Sequence, residues 1–187
     1  MVESTRNWGS SDCWYELVQG SELEQGDILC NYPVAMVYIA RSANGKPDVL
    51  VEQRDVVVLT QTCDILKESQ ASILVAQVVD YNVLCRISSP EVSGERYRNK
   101  LIENTVIAMF LLPEHEIGLS FPWSIVSFRD LYVSPKDDAR MFAQSLGPRL
   151  RLRSPYKEHL SQSFARFMMR VGLPSTTHGF ASYKPEK

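Results

Sequence analysis

The chain has 187 residues, 20 basic and 22 acidic side chains, and a 44% hydrophobic share, the makeup of one globular domain with a core. It contains no apolar run of roughly 18 residues, which excludes a helical membrane span, and residues 1–6 lack the apolar stretch of a signal peptide, so a cytoplasmic protein is expected. Charge is unevenly spread: residues 140–187 hold nine basic against two acidic side chains, while the rest of the chain is strongly acidic. Such asymmetry fits a nucleic-acid surface, and it equally fits a basic tail folding back on the acidic body.

Residues 11–18 predict a short helix capped by Ser11 or Asp12, with Trp14, Leu17 and Val18 on its apolar face and Gly20 at its end. Strands are expected at 27–30, 36–40 and 49–51, with the Asn44-Gly45 pair marking a hairpin turn. Residues 56–59 are mostly β-branched and apolar on both faces, the pattern of a strand buried on both sides, and 72–79 repeat it. The polar segment 60–71 between them is a connection of the kind that carries function. A short charged helix is expected over 94–104, then strands over 106–112 and 123–133. Residues 149–153 alternate Arg-Leu-Arg-Leu-Arg. As a strand, this places Leu150 and Leu152 on the core and a ladder of guanidiniums, Arg149, Arg151 and Arg153, on the other face. The ladder suits phosphates or carboxylates, or else protects an edge strand from aggregation. The last helix starts at Ser154 and Pro155, buries Tyr156, Leu160, Phe164, Phe167, Met168 and Val171, and stops at Gly172 and Pro174.

The candidate functional residues cluster first at Thr60-Gln61-Thr62-Cys63-Asp64. Cys63 is a candidate nucleophile if a helix start lowers its pKa, although the neighbouring Asp64 opposes that and no histidine is close in sequence. Thr60 and Gln61 are candidate binding residues; equally, the threonines satisfy backbone groups and Cys63 packs as a small hydrophobe. The four cysteines (Cys13, Cys30, Cys63, Cys85) form no CxxC pair and read as free thiols. Zinc spacing, phosphate-loop and dinucleotide fingerprints and the GxSxG elbow are absent, so neither metal nor cofactor is expected. On the terminal helix, His159, Arg166 and Arg170 share a face able to hold an anion or simply to be solvated.

Gly26-Asp27-Ile28, a variable hairpin, Arg54, the apolar strand 56–59 and the second apolar strand 73–79 together resemble the small SH3-like barrel of PemK/MazF-type growth-inhibitor toxins. The resemblance covers residues 26–80. It implies a barrel, a place in a toxin–antitoxin or defence system, an arginine acting in RNA cleavage with Arg54 as its counterpart, and a homodimer. The chain departs from the family at Asp55, where the family has proline, and at Val79, where it has a hydroxyl residue.

The expected fold is therefore α+β: a small SH3-like barrel or strongly curved sheet of about five to seven strands with the terminal helix packed on it. It forms a single domain, with a β-rich core over 26–133 and a basic strand plus helix over 149–173. The expected function is a binding module for nucleic acid, RNA favoured, or for an acidic protein. The alternative is an enzyme, either an endoribonuclease using Arg54 or a thiol enzyme using Cys63 with Asp64 beside it.

Overall fold

A computed structural model of the chain describes residues 14–38 and 47–169. The class is α+β, with seven strands in two antiparallel sheets and five α-helices among the described residues. The larger sheet has the order β2-β3-β4-β6-β5, built from Ile28–Tyr38 (β2), Asp48–Val58 (β3), Ser72–Asp80 (β4), Met109–Leu112 (β5) and Ser124–Pro135 (β6). The smaller pairs Tyr15–Val18 (β1) with Arg149–Leu152 (β7). Among the described residues no pairing closes either sheet into a barrel, and no helix is long and apolar enough to cross a membrane.

The double-sided burial expected of residues 56–59 follows from their place near the centre of the large sheet, because alternate side chains of a strand point to opposite faces. Val57 and Leu59 face one apolar cluster together with Ile28, Val78, Val126, Phe128, Leu150, Leu152 and Leu160. Val56 and Val58 face the other, with Leu29, Ile65, Ile73, Val75, Ala139 and Ala143. The first face is covered by β7 and by the terminal helix α5 (Tyr156–Met168), whose Phe164 and Phe167 rings lie 5.5 and 5.9 Å from Phe128. The second is covered by α4 (Lys136–Leu146), which presents Ala139 and Ala143 one turn apart, and by Ile65 of α1 (Thr62–Ile65). Helices α2 (Tyr81–Ile87) and α3 (Glu95–Ile102) fill the connection from β4 to β5.

Several expectations are corrected. Residues 15–18 form a strand, not a helix: Tyr15 is buried, Glu16 is exposed, and each of the four residues pairs with β7. Tertiary pairing here outweighs a weak local helix signal. Residues 28–30 and 36–38 of the two expected strands are parts of one eleven-residue strand, carried past an irregularity between Leu29 and Tyr32, and residues 39–40 lie outside the described residues. Likewise 49–51 and 56–58 belong to the single strand β3. The Asn44-Gly45 turn, Arg170, Val171 and the stop at Gly172 and Pro174 lie outside the described residues. Pro155 stands in the N-cap position of α5, one residue later than expected, and Met168 is exposed on it.

Gly26 and Asp27 make the corner where the two sheets meet. Gly26 N–H donates to the Val58 carbonyl at 2.9 Å and the Gly26 carbonyl accepts from Leu152 N–H at 3.0 Å. With φ +87° and an added Cβ only 2.8 Å from the Leu152 Cβ, this position admits glycine alone without rearrangement. Asp27, fully buried, bridges to Arg151 of β7.

Candidate functional site

The arginine ladder is turned inward at two of its three rungs. Arg149 and Arg151 are 1% and 7% exposed. Arg149 Nε donates to Asp27 Oδ2 at 3.0 Å, its NH1 to the Gly20 carbonyl at 2.8 Å and its NH2 to the Glu22 carbonyl. Arg151 donates through Nε and NH2 to both Asp27 oxygens and through NH1 to Glu24 Oε1 at 2.7 Å. Burial works against the charge on Arg151, but hydrogen bonding to Asp27 and the fields of Asp27 and Glu24 more than offset it, and its pKa is raised. Two carboxylates thus balance two guanidiniums, and Lys157 adds a 3.4 Å contact to Glu24. Part of the basic C-terminal charge is therefore consumed inside the fold, and Arg149 and Arg151 hold no free donor face for a phosphate. Arg153 is exposed beyond β7. Arg166 is exposed and donates to the Asn104 carbonyl at 3.0 Å.

Residues 60–64 are placed at the exit of β3, as expected, and their polar atoms serve the chain. Thr60 Oγ1 accepts from Leu74 N–H at 2.7 Å, and Thr62 Oγ1 from Gln25 N–H at 3.2 Å. Asp64 pairs with Lys67 at 2.6 Å. Lys136, buried, donates to the carbonyls of Ile65 and Lys67 and holds the end of α1. Exposed Gln61 and Cys63 lean on one another, Sγ to Oε1 at 3.7 Å. His115 is buried against Tyr15 and bonds to the Ile117 carbonyl, while His159 meets Tyr156 edge-on. Neither offers Cys63 a base. Cys30 is different: burial, helped by Asp55, pushes its thiol up to about 11. Brief iodoacetamide labelling at neutral pH should therefore modify Cys63 well before Cys30, as read by peptide mapping; equal rates would contradict this placement.

A further polar surface gathers around a bulge in β6. Ala76 pairs with Leu131 but Gln77 pairs with Ser127, so Phe128, Arg129 and Asp130 are extra on the β6 side. Phe128 drops into the core while Arg129 and Asp130 stay exposed, the re-aiming of side chains that a bulge produces. On one side of the bulge lies Arg54, half-exposed and ion-paired with Glu52, its Nε buried without an acceptor. Tyr132 donates to Gln77 Oε1 at 3.1 Å, and Ser127 donates to Asp130 at 2.6 Å. Burial raises the Tyr132 pKa, Arg54 lowers it, and Asp130 and Glu52 raise it further, which puts these four groups within one field.

On the other side, Arg129 acts on Tyr97 of α3. Burial raises the Tyr97 pKa and the Arg129 charge opposes that. Tyr97 hydroxyl meets Met109 Sδ at 3.3 Å, and buried Leu101 anchors the helix beneath it. Tyr81, first in α2, donates to the Val92 carbonyl at 2.6 Å, and its N–H donates to the Trp123 carbonyl at 2.8 Å. Burial and a hydrogen bond with Cys85 raise its pKa, while Arg98 lowers it. Trp123 is 43% exposed. The Arg98 charge thus reaches half-buried Tyr81 and the Arg129 charge half-buried Tyr97, with Arg98 also donating to the Ser93 carbonyl and exposed Trp123 joined to Tyr81 through the backbone. The sequence conceals this group because its members come from α2, α3, β6 and the residue before β6; the aromatic and basic residues of 95–102 are its one visible trace.

Among the described residues no three His, Cys, Asp or Glu side chains converge to hold a metal ion. No protein-family model, no curated protein and no solved structure matches the chain.

Proposed function

We propose that the chain is a binding module for single-stranded nucleic acid, RNA favoured, that uses the surface around the β6 bulge. The observation that carries the reading is the exposure of Arg98, Arg129 and Trp123 together with Tyr81 and Tyr97, which feel those two charges. Single strands are held by guanidiniums along the phosphates and by aromatic faces under the bases, and this surface supplies both. The likeness of residues 26–80 to PemK/MazF-type toxin barrels supports RNA as the nucleic acid and a toxin–antitoxin or defence setting.

The test is fluorescence anisotropy with a short labelled single-stranded RNA across a salt series. Arg98→Ala with Arg129→Ala should weaken binding and lower the log–log salt slope by about 1.4, roughly 0.7 for each single-strand phosphate no longer neutralised. Tyr97→Ala should cost about 1–3 kcal/mol if a base stacks there. An absence of binding by the parent at low salt, or binding indifferent to the double arginine variant, sinks the reading. Preference for a polyacidic peptide over RNA would make the partner an acidic protein instead.

A second reading, endoribonuclease, is favoured by one observation. Arg54 stands with Glu52, Asp130 and Tyr132 in a single field, a cation to stabilise a developing phosphorane beside groups able to move a proton. Loss of RNA cleavage in Arg54→Ala, with binding kept, would establish it. The thiol reading has no comparable support: among the described residues Cys63 bonds to Gln61, and His115 and His159 have other partners.

A further inference from the structure

Among the described residues, the β2–β3 arm carries an edge that no strand covers. β3 pairs with β4 only from Asp55 to Val58, so residues 48–54 have β2 on one side and, among the described residues, no strand on the other. Both faces of this arm are apolar and open. Val37, Val49 and Val51 are each more than 60% exposed and Leu50 is 43% exposed. An exposed apolar strand edge is a template for adding another strand, and folds usually guard against it. The outer edge of β2 has such a guard in Pro33, which lacks an N–H. Residues 48–54 of β3 contain neither proline nor lysine.

We propose that this edge pairs antiparallel with the same edge of a second copy of the chain, about a two-fold axis through Val51. The charges along the segment select this register. With Val51 opposite itself, Asp48 of each copy faces Arg54 of the other, Leu50 faces Glu52, and Val49 faces Gln53. Moving the axis one residue to Leu50 sets Asp48 against Glu52, and moving it to Glu52 sets that carboxylate against itself; like charges directly opposite destabilise a ladder. A perpendicular two-fold keeps like faces together, so Val51 and Val49, with their β2 neighbours Ala35 and Val37, come side by side with those of the second copy. Backbone groups of residues 48–54 gain partners at the same time. Arg54 then lies between Glu52 of its own chain and Asp48 of the other.

Sedimentation velocity on the full chain, without nucleic acid, tests this independently of RNA binding. The parent should sediment as a dimer at high micromolar concentration. Val51→Lys, which places two ammonium groups on the axis, should sediment as a monomer that still unfolds cooperatively, its melt independent of concentration. Asp48→Arg and Arg54→Asp should each be monomeric alone, and an equimolar mixture should restore a dimer, because both cross-strand pairs are then complementary. A parent that stays monomeric throughout overturns the interface, as does a Val51→Lys variant that still dimerises. A mixture of the two folded charge variants that stays monomeric overturns the register.

Discussion

Asp27→Asn should cost about 3–5 kcal/mol of folding stability, a large part of what a domain of this size has. The aspartate is fully buried and takes donors from both Arg149 and Arg151, which are themselves 1% and 7% exposed. Removing its charge leaves Arg149 with carbonyl acceptors alone and Arg151 with Glu24, so a guanidinium stays buried without its counter-charge. Breaking a buried ion pair from one side is far more harmful than replacing the whole pair by apolar groups. Asp27→Asn combined with Arg149→Met should therefore recover part of the loss. Urea denaturation of the parent and both variants decides it. A single variant within about 1 kcal/mol of the parent would show that the corner does not depend on this charge.

Phe128→Ala is expected to have a loss of similar size, about 3–5 kcal/mol, by creating a cavity at a site with no solvent exposure. The ring joins two parts of the fold: it lies in the β6 bulge and under Phe164 and Phe167 of α5. Its loss should thus loosen the helix as well as the sheet. Hydrogen exchange should show amides of α5 opening faster, to a degree not matched by those of β3 and β4. On the proposed RNA-binding reading, affinity should fall with it under conditions where the variant is still folded, because Arg129 shares the bulge with Phe128. Uniform loss of protection across the chain would argue that α5 is not a separate unit.

How much of this can be read from sequence depends on how far the deciding contact lies along the chain. Residues 56–59 and 73–79 are legible because continuous β-branched runs have one good solution, a strand with cores on both sides. For residues 149–152 the sequence predicts the right structure and the wrong environment. Alternation says that leucines and arginines occupy opposite faces, and both faces are buried, because Asp27 and Glu24 stand opposite the arginines. Nothing near residue 150 announces a carboxylate more than a hundred positions away. Helix α4 is hidden because Ser134-Pro135 reads as an ending, while Ala139 and Ala143 give a faint apolar stripe. The 60–64 cluster is legible as a polar exit from a buried strand. Its threonines are used by Leu74 and Gln25. The bulge of β6 has no sequence signature here, since it exists through the register of β4 against β6 and so depends on both strands.

The corner at Asp27 also sets an order of events during synthesis. Its arginine Arg149 leaves the ribosome 122 residues later. Until then the strands of the large sheet can pair in sequence, but the carboxylate must remain hydrated and the face destined for Leu150, Leu152 and α5 must remain open. The nascent chain accordingly carries an unsealed hydrophobic surface while the 122 residues from Asp27 to Arg149 are made, and sealing comes as β7 and α5 arrive together. A chain halted before residue 149 should be the form that chaperones hold.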